Sequence, residues 1–385
     1  MEFAERVTDI EPAAPFMISN MVSEREEAGE DIVDLSVGQP DIDTPEHIVE
    51  ATKDALDAGH TTYTPSNGIM ELRRAAATYL RDRFDLPYEA ENIIATPGGK
   101  HAVYETVQAL VDVGDEVIVF DPVWSSYVPM IKLAGGEAVH VDLAPYDLRL
   151  EPALDDLQEA ISEDTALIML NSPVNPSGRV YSEAAFRGVR DLAVEYDLPV
   201  ISDEIYAELM YGDHEQRSLA TYDGMFDRTI TINGVSKTFS MTGYRLGFLA
   251  APTDHTTQAG KVHSHSVSCA TNFVQRGAIE ALSNTDIDAL AADHVEIFER
   301  RRDLLVDLLE ERGIHVPVPE GSFYLMFEID TDDDIEWCKD AVAEAGVGLV
   351  PGTAFGTPGY VRASLVDTED RIREAVDRLE TEGFL

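Results

Sequence analysis

The chain has 385 residues, of which 28 are Lys or Arg and 73 are Asp or Glu, giving a net charge of −45. A field of that sign repels phosphate backbones and anionic lipid, which excludes nucleic acid and membrane surfaces as partners. The 44% hydrophobic content excludes a disordered acidic chain.

No apolar run approaches the roughly 18 residues of a membrane span. The acidic start MEFAERVTDIEP lacks the apolar segment of a secretory signal. Cys269 and Cys338 are too few for a disulfide framework or a cysteine metal site. A cytoplasmic protein is the expectation. Only six residues are lysine: Lys53, Lys100, Lys132, Lys237, Lys261 and Lys339. An acidic, lysine-poor surface suits concentrated salt, where screening removes most self-repulsion, so a halophilic source is expected. Lysines this scarce are also poorly explained as surface filler.

No long-period repeat and no low-complexity stretch interrupts the chain. Thr44-Pro45 predicts a helix start, an N-cap followed by proline, with a stop near Gly59. A second helix is predicted from about Gly68, with Leu72, Ala76 and Leu80 on one face. Short apolar runs at Glu116–Phe120, Ala166–Leu170, Val200–Ser202 and Thr229–Ile232 predict buried strands. Helical segments separate them, which is the pattern of a mostly parallel sheet covered on both faces. Beyond about Asn284 the pattern changes. Val295, Phe298, Leu305 and Leu309 share one face of a long helix ending near Gly313. A strand at Ser322–Glu328, a helix near Asp334–Ala345, strands at Gly346–Val350 and Tyr360–Leu365, and a final helix follow. The expected division is a large domain over 44–283 and a smaller α+β domain from 1–43 with 284–385.

Four segments carry chemistry. Lys237, in Asn233-Gly-Val-Ser-Lys-Thr-Phe, directly follows an apolar strand, where open α/β sheets bind ligands. Arg245 lies eight residues on, between glycines that let backbone approach a ligand. Asn171-Ser-Pro-Val-Asn-Pro-Ser-Gly178 is a rigid turn after another strand, aiming Asn175. Asp203 ends a third strand, where a carboxylate wants a cation or becomes neutral; capping the next helix is its ordinary alternative. Gly98 and Gly99 open a helix ahead of Lys100, an anion cradle of backbone N–H groups that lacks the Walker spacing. Singly these are weak. Together they are what pyridoxal 5′-phosphate needs: an amine for its aldehyde, an acid for its ring nitrogen, an arginine and a helix N-terminus for its phosphate.

In that order the motifs resemble those of the class I/II, fold-type I pyridoxal-phosphate aminotransferases, the aspartate aminotransferase superfamily, from Gly38 to Arg362. The resemblance implies an α/β fold: a large domain with a mostly parallel, seven-stranded-type sheet flanked by helices, plus a smaller α+β domain. It implies that Lys237 holds the cofactor aldehyde and carries the proton from substrate Cα. Asp203 would pair with the ring nitrogen, Tyr206 and Asn175 with the 3′-oxygen, and Trp124 would stack on the ring. Gly98, Gly99, Lys100, Ser236 and Arg245 would bind phosphate, joined by Tyr63 reaching in from a neighbouring subunit, so a homodimer is implied. Arg362 would grip the substrate α-carboxylate, with Gly38 and Asn175 beside it. One position departs from the pattern. Many members place a hydroxyl three residues before the lysine, where this chain has Gly234.

The expected reaction is amino transfer from an L-amino acid to a 2-oxo acid such as 2-oxoglutarate, in a ping-pong cycle. Lys100 could also reach a side-chain carboxylate, which favours aspartate. The apolar segment Ala13-Ala-Pro-Phe-Met17 favours an aromatic or broad range. A β- or γ-lyase shares the first proton abstraction and is the competing reaction. A cofactor-binding sensor domain is disfavoured by the charge. No metal spacing is evident among the histidines; His263 and His265 read as a solvated loop near the site.

Overall fold

The computed structural model describes residues 3–8, 10, 14–214 and 217–385. In chain order its strands are β1 (Val33–Asp34), β2 (Ile93–Thr96), β3 (Glu116–Asp121), β4 (Glu137–Asp142), β5 (Thr165–Asn171), β6 (Val200–Asp203), β7 (Thr229–Gly234), β8 (Gly247–Ala250), β9 (Tyr324–Glu328), β10 (Val347–Gly348), β11 (Val350–Pro351) and β12 (Tyr360–Ser364). Seven of them form one sheet in the order β2-β8-β7-β6-β5-β3-β4. Strands β7, β6, β5, β3 and β4 run parallel, and β8 is antiparallel to both its neighbours. The fold is the α/β arrangement expected, with a mostly parallel seven-stranded sheet.

Strand β3 shows why these runs are continuously apolar. Val117 and Val119 join the core on one face with Val103, Val107 and Ile131, while Ile118 and Phe120 join the other with Leu157, Phe186 and Val189. Alternate side chains point to opposite faces, and both faces are covered. Register then builds the site. Asn171 pairs with Asp203, and Asp203 with Ile232, so the Asn turn, the aspartate and the lysine segment leave the sheet side by side.

Residues beyond 284 pack on the Ile287–Glu310 helix, whose Phe298, Leu305 and Leu309 meet Phe323, Phe327, Ile372 and Val376. Strand β12 lies between β11 and β9, and Arg362 at its middle faces Met326 and Val350 in register. Strand β1 pairs with β10, Val33 opposite Val347. No helix among the described residues is long and apolar enough to cross a membrane.

Several local expectations change. Thr44 does not cap the Glu46–Asp57 helix; its Oγ1 donates to the Ser240 carbonyl at 2.7 Å, a partner 196 residues away. The second helix starts at Met70, because Gly68 holds φ +95 and Ile69 is extended. The single strand expected over 346–350 is two, in different sheets, split at Leu349. The helix near 334–345 is helical to Asp340 and then widens into a π turn over Ala341–Ala345. Strands β2, β4 and β8 were not evident in the sequence: β2 and β8 are four residues long, and β4 is a sheet edge with a half-exposed face.

Candidate active site

At the carboxyl ends of β5, β6 and β7 lies a cavity of about 430 Å³. Its walls bring together the expected Gly38, Gly99, Lys100, Trp124, Asn175, Asp203, Tyr206, Ser236, Lys237, Arg245 and Arg362. Among the described residues Asp203 is the one acidic side chain in that lining, against Lys100, Lys237, Arg245 and Arg362. In a chain of net charge −45 this is a local inversion of sign.

Lys237 sits just beyond β7. Its Nζ donates to the Gly38 carbonyl at 2.6 Å and lies 5.5 Å and 5.3 Å from the ring centres of Tyr206 and Phe323. Burial, then Arg362 and Arg245, push its pKa down to about 7, against the pull of Asp203. A lysine so placed supplies free amine at neutral pH. Asp203 Oδ2 accepts from Tyr127 Oη at 2.9 Å and Oδ1 from the Ile205 N–H at 3.3 Å. Burial pushes this carboxyl up to about 6, opposed first by the Tyr127 bond.

The Asn171 turn contains cis bonds at Ser172-Pro173 and Asn175-Pro176. Asn171 Oδ1 accepts from the Asn175 N–H at 2.7 Å, and its Nδ2 donates to the Asp203 carbonyl at 2.9 Å. Asn175 Oδ1 in turn accepts from Arg362 Nη1 at 3.3 Å. Arg362 is buried, donates Nη2 to the Ser36 carbonyl at 2.6 Å, and lies 4.5 Å from the Tyr324 ring centre and 5.2 Å from that of Phe355. No carboxylate pairs with it among the described residues, and its Nε has no partner. A guanidinium buried, oriented and left partly unsatisfied is built for an anion from outside. Gly38 runs close to Tyr324; a Cβ there would stand 3.0 Å from Tyr324 Oη.

The opposite end of the cavity is backbone. Gly98 has φ +84, a left-handed conformation, and a Cβ on it would meet Arg245 Nη2 at 2.6 Å. The Gly99–Leu110 helix, with its unpaired first N–H groups, therefore begins beside the Arg245 guanidinium. Arg245 Nη1 is oriented by the Thr242 carbonyl at 2.9 Å. Lys100 Nζ lies 5.0 Å from the Trp124 ring, and burial together with Arg245 lowers its pKa. Gly234 packs so closely that a Cβ would stand 2.8 Å from Gly247 Cα, which accounts for the missing hydroxyl at that position. Ser236 lines the cavity instead.

Tyr63 does not enter this cavity; it is 87% exposed. His263 is not in a solvated loop, as expected, but fully buried on the Thr253–Ser266 helix, where apolar packing is shared with a hydrogen-bonded imidazole; His265 is exposed. With His101 and Glu105 it forms a cluster that sequence spacing did not reveal. Ala13 lies outside the described residues, while Pro15 and Phe16 line the cavity mouth. Sequence reasoning missed Tyr127 and Tyr324. Tyr127 packs edge-to-face on Trp124 with ring centres 5.2 Å apart, and its place three residues after Trp124 was the available signal. Tyr324, whose Oη is 3.3 Å from Tyr206 Oη, had none.

This is an α/β enzyme fold with a cationic, lysine-centred pocket. The description Aminotransferase class I and II matches residues 30–379. The chain is 38% identical to the aspartate aminotransferase of Thermotoga maritima over 352 residues, 91% of each chain. It superposes on Thermus thermophilus aspartate aminotransferase with maleate at a TM-score of 0.95 and 36% identity, covering 99% of this chain and all of that one. An aromatic aminotransferase from Pyrococcus horikoshii is also similar, with TM-score 0.88 and 36% identity over 94% of this chain and all of the other. The chain belongs to the class I and II aminotransferase family and is an aminotransferase.

Proposed function

We propose that the chain is a pyridoxal-phosphate-dependent aminotransferase that moves the amino group of an L-amino acid, aspartate above others, to a 2-oxo acid such as 2-oxoglutarate. The cavity fits the cofactor on its own terms. Asp203 is a buried carboxyl with no cation at ion-pair distance among the described residues, as a ring N–H⁺ would supply. The Gly98 cradle, which a Cβ would fill, and Arg245 suit a phosphate. The cofactor, when bound, supplies the electron sink that acidifies substrate Cα–H.

The rest is the work of this chain. Asp203, held by Tyr127, keeps the proton on the ring nitrogen. Arg362 binds the α-carboxylate and orients the Cα–H bond toward Lys237. Lys237 Nζ, with its pKa near the working pH, takes the Cα proton and returns it. Retaining the carboxylate on Arg362 favours transamination over decarboxylation. A β/γ-lyase would share the proton transfer, and assays for pyruvate and ammonia from cysteine or cystathionine distinguish it.

The observation that carries the reading is the cationic, Lys237-centred cavity whose only acid among the described residues is Asp203. Lys100 beside Trp124 offers a charge for a side-chain carboxylate, and the relatives described as aspartate aminotransferases support that choice. Phe16, 65% exposed at the mouth, favours an aromatic or alanine-type donor instead, as does the Pyrococcus relative. A panel of amino-acid donors with 2-oxoglutarate in high salt decides between them. Aspartate should exceed phenylalanine and alanine, and Lys100→Ala should reduce that preference selectively. Wild-type turnover by Lys237→Ala would refute the whole assignment.

The same reading takes the protein as a cytoplasmic homodimer adapted to high salt, with exposed Tyr63 lent to the second subunit. It divides the chain into 44–283 and 1–43 with 284–385, a split supported by which residues share each sheet.

A further inference from the structure

Beside the cavity, and outside its lining, lies a buried polar group the reaction does not use. Glu105, on the Gly99–Leu110 helix, and His263 are both fully buried. His263 Nε2 is 3.0 Å from the Ser66 carbonyl, and Nδ1 is 2.8 Å from Glu105 Oε2. A carbonyl only accepts, so Nε2 must carry a hydrogen. If the imidazole were neutral and Glu105 ionised, two lone pairs would face each other at 2.8 Å. One further proton must therefore lie between Nδ1 and Oε2. His101 Nε2 approaches the same oxygen at 3.3 Å but also faces Ser266 Oγ at 3.2 Å, so it does not replace that proton.

Ser66 belongs to the segment that carries Tyr63. Three buried or helix-borne side chains hold this segment at alternate residues. Asn272 Nδ2 donates to the Thr62 carbonyl at 3.0 Å, Gln275 Nε2 to Thr64 Oγ1 at 3.0 Å, and His263 to Ser66. Tyr63, between two of these anchors, is left outward. Glu105 stands on the same helix as Gly99 and Lys100, with Gly98 at its N-cap, less than two turns from its start.

We propose that Glu105 and His263 are positioning residues which, by sharing one buried proton, lock the Tyr63 segment to the helix that cradles the cofactor phosphate. Each subunit's own phosphate site is thereby tied to the tyrosine it lends to the other. This rests on the proposed cofactor and on Tyr63 reaching a second copy.

The test uses the full-length protein and two readouts. Hydrogen exchange of amides 62–68 is measured without cofactor, and pyridoxal-phosphate affinity by absorbance titration. His263→Leu should speed exchange about tenfold at Gly68, whose N–H donates to the Pro65 carbonyl at 2.9 Å, and raise the cofactor Kd about tenfold, the scale of one buried hydrogen bond. Glu105→Gln should match wild type in both, because its amide donates to Nδ1 and leaves Nε2–H on Ser66. Glu105→Leu, which keeps His263, should behave like His263→Leu and guards against a folding failure of that variant. Tyr63→Phe should raise the Kd without changing exchange. Wild-type exchange in both leucine variants overturns the lock, and faster exchange with an unchanged Kd overturns its coupling to the cofactor. Glu105→Gln behaving like Glu105→Leu overturns the shared proton. Stoichiometric Zn²⁺ binding lost in His263→Leu would do so too, since a metal would occupy the proton's place. If wild type binds no cofactor, the functional reading fails, while the exchange contrast still decides the lock.

Discussion

Tyr127→Phe removes one oxygen and tests the electrostatics of the whole site. The Oη donates to Asp203 Oδ2 at 2.9 Å, and this bond is the main force opposing the burial that raises the carboxyl to about 6. The ring stays, so its edge contact with Trp124 is retained. A hydrogen bond to a charged group contributes about 1.5–3 kcal/mol, which corresponds to roughly one to two pKa units. Without it, Asp203 in the cofactor-free protein titrates at least about one unit higher and is substantially protonated at neutral pH. The ring nitrogen of the cofactor then loses its anionic partner. Wild-type cofactor affinity should fall as pH drops through about 6, the pH at which Asp203 takes up a proton. In the variant the same loss should begin about one pH unit higher, so Kd should rise only about twofold at pH 7 and approach a tenfold rise near pH 5. Equilibrium titration by absorbance from acid to neutral pH measures both. An unchanged Kd with an unmoved acid limb would show that Tyr127 does not hold Asp203 in its ionised form.

Arg362→Lys keeps the charge but not the planar fork set by Ser36 and Asn175; kcat/KM for the amino acid should fall about 100-fold, mostly through KM. Unchanged steady-state constants would remove Arg362 from the carboxylate site. Lys237, with a folded pKa of about 7 against 10.5 unfolded, penalises the cofactor-free fold fully below pH 7, and the penalty is relieved as pH rises toward 10.5. Lys237→Met should therefore be more stable than wild type near neutrality, with the gap closing by about 1.4 kcal/mol per pH unit in denaturant titrations. A gap independent of pH would contradict the depressed pKa. Gly234→Ser adds a hydroxyl at the position where the resemblance led one to be expected, yet its Cβ would stand 2.8 Å from Gly247 Cα. It should lose about 1–3 kcal/mol of stability and bind cofactor no better; tighter binding at an unchanged Tm would refute the packing argument.

The site residues that sequence revealed share one property. Asn175, Asp203 and Lys237 each follow an apolar strand within a few residues, so strand and chemistry are read in one window. Parallel register then places them together with no further information. What stayed hidden depends on partners far along the chain. Tyr324, which sequence reasoning missed, meets Tyr206 118 positions earlier, and Thr44 is diverted from capping by a carbonyl 196 away. His263 failed for a related reason. Its flanking residues are polar and read as solvated, but the buried acid that satisfies it is 158 positions earlier. Local pattern reports burial only when burial is apolar.

The net charge of −45 and the cationic cavity together make a prediction about salt. At low ionic strength the acidic surface repels an anionic amino acid before it reaches the pocket. In concentrated salt the Debye length shrinks to about 3 Å, and the distant surface charges drop out. Arg362, buried, and Lys237, half-buried in the cavity wall, are screened far less. Salt should therefore lower KM for aspartate, the reverse of its effect on an enzyme that steers substrate with surface cations. Alanine, with no net charge, feels only the change in folding, so the KM ratio of the two donors isolates the field. That ratio should move toward aspartate between about 0.1 M and 3 M KCl, in step with the loss of surface repulsion. A ratio moving toward alanine would mean that the pocket cations, not the acidic surface, dominate the approach.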